Sequence, residues 1–210
     1  MVRSNNKINK GTLFVISAPS GAGKTTLCLK LLKKNPDIKL SVSFTTRKPR
    51  SRETNNVDYT FVSKARFMKM IDKGEFAEWA TVHGNLYGTS IKRLKELNSA
   101  GYDIILDIDT NGARQLKKRY ENAIYIFILP PSFEVLKERL VDRRTDSGEV
   151  IARRLDNAKN EIACYKDYDY IVVNDRLDKA YRELESIVVA SRLRISRIDP
   201  DKIKKTYKIK

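Results

Sequence analysis

Cysteine, histidine and long apolar runs are scarce in this chain of 210 residues, which has 2 cysteines and 1 histidine. Cys28 and Cys164 are far apart and lack metal-ligand spacing, so the sequence predicts neither a disulfide framework nor a zinc site. The longest apolar run, residues 123–129, has the length of a strand and is too short to span a membrane. Residues 1–7 are followed by no apolar stretch of the signal-peptide type, and we therefore expect a cytoplasmic protein.

Acidic residues are also in short supply, since 26 Asp and Glu stand against 42 Lys and Arg and leave a formal net charge of +16. Such an excess fits either a polyanion such as nucleic acid or a small-molecule site that handles several phosphates. Much of it lies in residues 191–210, where a solvated basic tail is the plainer interpretation. Nucleic-acid binding would require a basic stripe with interleaved aromatic residues, and the tail has only Tyr207. No specific nucleic-acid partner is predicted.

The strongest motif occupies residues 17–26, between an apolar run at residues 12–16 and a helical pattern. Strand, glycine-bearing loop, Lys-Thr and helix is the order of a phosphate-binding P-loop. Inward-turned backbone N–H groups and the helix N-terminus attract an anion there, Lys24 can reach the β- and γ-phosphates, and Thr25 can ligate Mg²⁺. A glycine-rich turn that binds nothing is the alternative, because Ala18 stands where the general motif has glycine. The predicted ATP-binding residues of this segment are Ala18, Pro19, Ser20, Gly21, Ala22, Gly23, Lys24, Thr25 and Thr26.

Strand-like runs alternate with helical patterns along most of the chain. This alternation predicts an α/β fold of the P-loop NTPase type, with a parallel sheet and helices on both faces. Residues 42–89 interrupt the alternation and predict an inserted, mixed α/β lobe. The core would then comprise residues 11–41 and 90–190, preceded by an extension at residues 1–10 and followed by the basic tail at 191–210.

Three local features of the predicted fold can be checked residue by residue. A strand is expected over residues 39–43, and Gly84-Asn85 is expected to form a turn. A helix over residues 91–99 is expected to end at Gly101 in the left-handed conformation.

Five separated motifs occur in a fixed order: Ala-Pro-Ser-Gly-Ala-Gly-Lys-Thr (18–25), Thr-Thr-Arg-Lys-Pro-Arg (45–50), Glu-Trp-Ala (78–80), Tyr-Gly-Thr (87–89) and Leu-Asp-Ile-Asp (106–109). With this ordered set the chain resembles the guanylate kinase family over about residues 11 to 190. An ordered set of five is much more specific than any one of its members. The resemblance makes the inserted lobe a GMP-binding lobe.

The resemblance implies a set of residues that hold GMP, and their chemistry agrees with it. Guanidinium groups bind phosphate oxygens bidentately, and phenol hydroxyls donate to them. Glu78 would read the base, because its carboxylate can accept from N1–H and the 2-amino group of guanine, whereas adenine offers neither donor. Taken singly, the arginines could form a solvated face, the tyrosines could lie at a core edge, and Glu78 could pair with a lysine. The implied GMP-binding residues are Ser43, Arg47, Arg50, Tyr59, Glu78, Tyr87, Thr89 and Asp109.

Two acids, Asp107 and Asp109, end the strand predicted at residues 102–109. Ligands of open α/β sheets bind at the carboxyl ends of the strands, and acids there meet Mg²⁺ or its waters. Thr25 and Asp107 are the candidate metal ligands, and the resemblance brings Asp109 to the guanine site as well. The sequence does not divide the two roles. The alternative for Asp109 is to cap the helix that follows it.

Arginines cluster around a short polar break at residues 145–148, between two helical patterns. This cluster predicts an arginine-rich helical lid over about residues 139–155. The resemblance implies that Arg139, Arg143 and Arg154 close onto the phosphates and that Asn174 borders the adenine of ATP.

The resemblance also implies the reaction, which is Mg²⁺-dependent transfer of the γ-phosphoryl group from ATP to GMP, giving ADP and GDP. GMP and, by extension, dGMP are the expected acceptors. The main alternative is a non-catalytic guanylate-kinase-like module that binds proteins. Such modules usually have a damaged P-loop or have lost the arginines of the lid, whereas this sequence has both an intact P-loop and the lid arginines.

Overall fold

A large parallel sheet carries the fold in the computed structural model, which describes residues 11–51, 53–82, 84–142, 148–198 and 200–209. Its strands are β1 (Leu13–Ser17), β2 (Ile38–Leu40), β7 (Asp103–Asp107), β8 (Ile124–Leu129) and β9 (Tyr170–Val173). The described strands follow the spatial order β2-β7-β1-β8-β9, and every neighbouring pair is parallel. The carboxyl ends of all these strands therefore meet at one edge of the sheet, where ligands of such sheets bind.

Helices cover both faces of this sheet. On one face lie α1 (Lys24–Lys34) and α7 (Leu177–Arg192), and on the other α3 (Ile91–Ser99) and α4 (Thr110–Lys117). Two further helices, α5 (Phe133–Val141) and α6 (Gly148–Ala163), pack against each other, and 3₁₀ turns lie at Cys164–Asp167 and Ile195–Arg197. The strand period of two divides β1 between two cores: Phe14 and Ile16 pack with α1 and α7, whereas Val15 packs with α3 and α4. The predicted α/β class with helices on both faces is confirmed.

A second, smaller sheet is formed by the segment between α1 and α3. Its elements are β3 (Phe44–Thr45), β4 (Thr60–Phe61), α2 (Lys64–Asp72), β5 (Phe76–Val82) and β6 (Asn85–Ser90). The strand order is β4-β3-β6-β5, with β6 antiparallel to both of its neighbours. Phe67 and Phe76 stack with ring centroids 4.5 Å apart, beside Met70 and Leu86. The lobe thus has its own apolar core, and this core is separate from the two cores of the large sheet.

One local expectation was wrong, one is correct in part, and one is confirmed. The strand predicted over residues 39–43 ends at Leu40, because the chain then leaves the large sheet and the Ser43 carbonyl accepts a bond from Thr60 N in the small one. Gly84 lies in a turn with a φ of 78°, as predicted, but Asn85 is already the first residue of β6. Gly101 follows α3 with a φ of 73°, the left-handed helix end that the sequence predicts.

The start of the basic tail is attached to the core. Arg192 Nε lies 2.6 Å from Asp103 Oδ2, and Arg197 donates to the carbonyls of Gly11 and Asn122 at 3.3 and 2.8 Å. A solvated tail describes only α8 (Pro200–Tyr207), which has no buried residue. The predicted extension at residues 1–10 lies outside the described residues. Within the described ranges, no helix is both long enough and apolar enough to cross a bilayer.

Candidate nucleotide-binding site

The loop between β1 and α1 has the conformation of an anion-binding nest. Gly21 and Gly23 have φ values of 95° and 87°, in the left-handed region that favours glycine. A side chain on Gly23 would also collide with the amide of Asn174. The first turn of α1 contains no acidic residue, so nothing within the helix itself opposes the positive end of its dipole. Loop and helix together suit a phosphate group.

Lys24, at the start of α1, points back to the end of the neighbouring strand β7. Its ammonium forms an ion pair with Asp107 and donates to the Ile108 carbonyl at 3.0 Å. Burial lowers the pKa of Lys24, but the charge and hydrogen bond of Asp107 outweigh burial and leave that pKa raised. The ammonium is therefore charged and held beside the nest. Thr25 follows on the exposed surface of the same helical turn.

Asn174, which follows β9, braces the loop. Its Nδ2 donates to the Ala22 backbone carbonyl at 2.8 Å, and the backbone carbonyl of Asn174 accepts from Arg139 Nη2 at 3.0 Å. The side chain is buried. The contact of Asn174 with adenine stays a prediction, because in this structure the amide is bonded to the loop itself.

The predicted lid is only partly described. Arg139 lies on α5 and Arg154 lies, partly buried, on α6. Arg143 and residues 145–147 of the polar break lie outside the described residues. The closing role of the three arginines stays a prediction.

Three of the predicted phosphate ligands of GMP converge in the small sheet. Arg47 Nε donates to the hydroxyl of Tyr87 at 3.2 Å, and the guanidinium lies 5.3 Å from the ring centroid of Tyr59. The two tyrosine rings meet edge to face, with centroids 5.8 Å apart. A cation and two phenol groups therefore stand together on the small sheet, as a phosphate site requires.

Glu53 was missed by the sequence reasoning and proves to organise both arginines. Its carboxylate accepts from Arg47 Nη2 at 2.7 Å and from the backbone N of Arg50 at 2.8 Å. The hydrogen bond to Glu53 is the main reason why the pKa of Arg47 is raised, and the same bond lowers the pKa of Glu53. The side chain of Arg50 is exposed. The available signal was an acid placed three residues after Arg50.

Glu78 is the one strongly buried carboxylate among the described site residues. Only 4% of its surface is exposed, and Thr89 Oγ1 donates to its Oε1 at 2.5 Å. Burial raises the pKa of Glu78 to about 7; the hydroxyl of Thr89 opposes this rise, and the charge of Asp109 adds to it. The N–H donors expected from guanine would favour the ionised form of Glu78 and so oppose the effect of burial on its pKa.

One cleft joins these groups at the carboxyl edge of the large sheet. It is lined by Lys24, Ser43, Tyr59, Glu78, Val82, Tyr87, Asp107, Ile108 and Asp109. The Lys24 side of the cleft belongs to the P-loop, and the Glu78 side belongs to the small sheet. The tertiary structure therefore brings the two predicted constellations face to face.

The two acids that follow Leu106 have different surroundings. Asp107 pairs with Lys24, and its strand position lies opposite Ile16, one residue before the P-loop segment. Asp109 caps α4, with Oδ1 accepting from Gly112 N at 3.0 Å. The capping alternative is thus present, and Asp109 lines the cleft at the same time.

Glu161 is a further residue that no sequence signal distinguished. It lies on α6, partly buried, and its carboxylate accepts a hydrogen bond from the backbone N–H of Ser20 in the P-loop. Burial raises the pKa of Glu161, while that hydrogen bond and the charge of Lys24 oppose the rise. A carboxylate on the lid helix is therefore close to the phosphate nest.

Comparison with known proteins decides the family. The guanylate kinase family model matches residues 10–191. The chain is 57% identical to the guanylate kinase of Geobacter metallireducens over 189 residues, which are 90% of this chain and 93% of that one. The crystal structure of guanylate kinase from Anaplasma phagocytophilum superposes with a TM-score of 0.79 at 31% identity, covering 97% of this chain and all of the other. The chain belongs to the guanylate kinase family.

The fold by itself extends to other kinds of protein. The SH3-kinase fragment of tight junction protein 3 superposes with a TM-score of 0.50 at 13% identity, covering 89% of this chain and 59% of that fragment. Such a likeness shows a shared fold alone, and function has to be argued from the site.

Proposed function

We propose that this member of the guanylate kinase family transfers the γ-phosphoryl group of ATP to GMP with the residues of the cleft, giving ADP and GDP. One observation carries the proposal: the cleft holds a lysine-bearing anion nest on one side and a buried carboxylate with an Arg-Tyr-Tyr cluster on the other. This chemistry suits two ligands, a nucleoside triphosphate and a nucleoside monophosphate whose base is guanine.

The triphosphate of ATP binds in the nest formed by residues 18–26. The left-handed conformations of Gly21 and Gly23 turn backbone N–H groups toward the phosphates, and the N-terminus of α1 adds a partial positive charge. Lys24 exchanges part of its contact with Asp107 for the β- and γ-phosphate oxygens. Since its pKa is raised, the lysine binds them as a cation at neutral pH.

The phosphate of GMP binds to Arg47, Arg50, Tyr59 and Tyr87. Arg47 has five N–H donors, and its bonds to Glu53 and Tyr87 fix the plane of the guanidinium. Arg50 is exposed and free to turn toward a dianion once Glu53 has fixed its backbone. The two phenol groups donate to the remaining phosphate oxygens.

Glu78 distinguishes guanine from adenine by accepting from N1–H and the 2-amino group. The carboxylate is buried, so an adenine in the same position would leave it with no donor beyond the Thr89 hydroxyl. Ser43 and Thr89 supply hydroxyl groups at the same wall. Asp109, whose backbone position is fixed by its helix cap, lies at the end of that wall.

The reaction needs no side-chain base, because the attacking oxygen belongs to a phosphate that is already ionised near neutral pH. Catalysis then consists of holding the two phosphates in line and neutralising the charge between them, which falls to Lys24 and the arginines of the lid. Arg139 and Arg154 lie on the helices that flank the lid break, and Arg143 is assigned by the sequence alone. Closure of the lid would keep water from the γ-phosphate.

Thr25 and Asp107 are the residues that would hold Mg²⁺. The donors are a hydroxyl and a carboxylate, the hard oxygen ligands that this ion prefers, and they lie on adjacent elements at the strand ends. Magnesium would neutralise the charge of the β- and γ-phosphates. Asp107 is at present the partner of Lys24, so its share in metal binding requires that this pair loosens.

The test is ADP formation from ATP and Mg²⁺ with GMP, dGMP, AMP, CMP or UMP as the acceptor, with the Lys24→Met variant alongside. We expect turnover with the two guanine nucleotides alone, and a kcat lower on the order of 10³-fold in the variant. A folded sample that turns over no acceptor would refute phosphoryl transfer and favour the protein-binding module. Turnover with AMP at the rate of GMP would refute the role of Glu78.

A further inference from the structure

Helix α4 lies directly against the carboxylate that the proposed function assigns to guanine. At Gly112 the approach is so close that a Cβ atom built there would stand 2.5 Å from Glu78 Oε2 and 3.2 Å from its Cδ. The same atom would stand 3.1 Å from Asp109 Oδ1. Since Cβ atoms in proteins essentially never come nearer than 3.0 Å to such a neighbour, Glu78 occupies the space that a side chain at position 112 would need.

The backbone does not by itself call for glycine at this position. Gly112 is not among the glycines with positive φ and lies inside α4, where alanine would favour the helix. Its backbone N donates to the capping carboxylate of Asp109, and any residue except proline can make this bond. The reason that remains is steric, and its closest contact is with Glu78, followed by the one with Asp109.

One helical turn later, Gln115 fixes the strand that carries Glu78. Its Nε2 donates to the Trp79 carbonyl at 2.8 Å, and its Oε1 accepts from the Trp79 backbone N at 3.4 Å. Residues 112 and 115 are three apart and lie on the same face of the helix. This face of α4 therefore holds β5 through the two bonds between the Gln115 side chain and the Trp79 backbone, and it leaves space at Gly112 for the Glu78 carboxylate.

We propose that Gly112 is a positioning residue for base recognition. Because Gly112 has no side chain, the first turn of α4 leaves room for the Glu78 carboxylate of β5 and so holds it at the wall of the cleft. The proposal rests on the proposed function, in which Glu78 reads guanine. Gly112 itself need not touch the nucleotide. An alanine there displaces the carboxylate and so weakens recognition of the base while leaving the ATP side unchanged.

The first experiment compares wild type, Gly112→Ala and the neighbouring control Asn111→Ala, whose residue is exposed on the same turn of α4. For Gly112→Ala we expect kcat/KM for GMP to fall between about tenfold and 100-fold, because small misplacements of a binding group have effects of this size. KM for ATP and the midpoint of thermal unfolding should stay near the wild-type values, and Asn111→Ala should match wild type throughout. An unchanged kcat/KM for GMP in Gly112→Ala would overturn the proposal.

A double-mutant cycle separates the steric contact from an effect on the helix. In Glu78→Asp the carboxylate is withdrawn by one methylene, so adding Gly112→Ala to it should cost less than about twofold. Additive losses in the cycle would overturn the proposal. If Gly112→Ala alone does not fold, folding of the double variant supports the contact and failure of both refutes it.

The wild-type control distinguishes this proposal from the function on which it rests. If wild type fails to phosphorylate GMP, the proposed function fails, whatever the variants do. If wild type phosphorylates GMP and Gly112→Ala does so with the same kcat/KM, the positioning role of Gly112 alone is wrong.

Discussion

The two sides of the cleft are assembled in different ways. In the proposed function, the ATP side is one continuous segment, residues 17–26, completed by Asp107 and Asn174. The GMP side is collected from β3, β5, β6 and the long loop before β4, which are adjacent only because the small sheet pairs them. A single local motif is therefore enough to recognise the ATP side, whereas the GMP side depends on several motifs at unrelated distances along the chain.

The charges of the two sides are also balanced differently. Lys24 and Arg47 are each paired with an acid, Asp107 and Glu53 respectively, so both cations are charged and oriented before a phosphate arrives. Glu78 faces a hydroxyl instead of a cation, and burial keeps its pKa high. In the proposed function, the phosphate sites are thus prepared for their ligands, while the carboxylate proposed to read the base gains most from the donors of guanine.

The largest expected effect is on the ATP side. Lys24→Met removes the cation that bridges the β- and γ-phosphates, and we expect kcat to fall on the order of 10³-fold. Steady-state kinetics with saturating GMP would measure it. Lys30→Met, an exchange at another lysine of α1 whose partner is Asp178, is the matched control and should keep its activity. Activity within about tenfold of wild type in Lys24→Met would remove the lysine from the catalytic step.

The next effect falls on the GMP side. Glu78→Gln keeps the shape of the side chain but replaces one acceptor by a donor that faces the donors of guanine. We expect kcat/KM for GMP to fall by about 100-fold or more, with KM for ATP unchanged. If both substrates were affected equally, Glu78 would be a structural residue and the contrast between the two sides would be lost.

The pH dependence should also differ between the sides. Because burial raises the pKa of Glu78 to about 7, protonation below that pH removes the acceptor, and kcat/KM for GMP should fall by about tenfold per pH unit. Glu78→Gln, measured at higher enzyme concentration, reports the titration of the GMP phosphate alone and should have the shallower profile. Identical profiles would show that Glu78 does not titrate in this range.

The same titration affects the stability of the free protein. The folded-state pKa of Glu78 lies above its ordinary value of 4.5, so the folded state binds the extra proton between pH 4.5 and about 7. The free energy of unfolding should therefore decrease as pH rises through this window. Denaturant unfolding of wild type and Glu78→Gln would show the difference, which should be absent in the variant.

A moderate effect is expected from the acid that orients the phosphate site. Glu53→Gln keeps one acceptor for Arg47 but loses the charge, so the guanidinium is held less firmly. We expect KM for GMP to rise about three- to tenfold, the loss of part of a charge-assisted bond, without a change in kcat. A lower KM would mean that Glu53 competes with the phosphate instead of positioning its ligand.

The smallest effect should come from the end of the chain. Ending the chain at Ile198 removes α8, which has no buried residue, but keeps the contacts of Arg192 and Arg197 with the core. Both KM values and kcat should stay within about twofold of wild type. Ending it at Ser191 removes those contacts as well, and we expect a lower midpoint of thermal unfolding.

Much of the candidate site was proposed from the sequence, through the local P-loop pattern and the resemblance to the guanylate kinase family. The P-loop, the arginine pair and Glu78 follow from motifs, and the cap by Asp109 follows from an acid before a helix. Glu53 and Glu161 could not be predicted, because an acid in a polar loop or on a helix is indistinguishable from a solvated one until its partners are known. The strand predicted over residues 39–43 failed for a related reason, since local propensity does not show where the chain passes from one sheet to the other.

The sequence by itself determined what depends on local backbone chemistry: a strand, a glycine loop and a helix that form an anion nest, and an alternation of elements that builds a parallel sheet. Only the tertiary structure decided which charges meet. It paired Lys24 with Asp107 and Arg47 with Glu53, and it set Glu78 against Gly112 from another element 34 positions later. Nest formation needs a few consecutive dihedral angles, whereas pKa values and steric seats depend on neighbours that folding brings from distant parts of the chain.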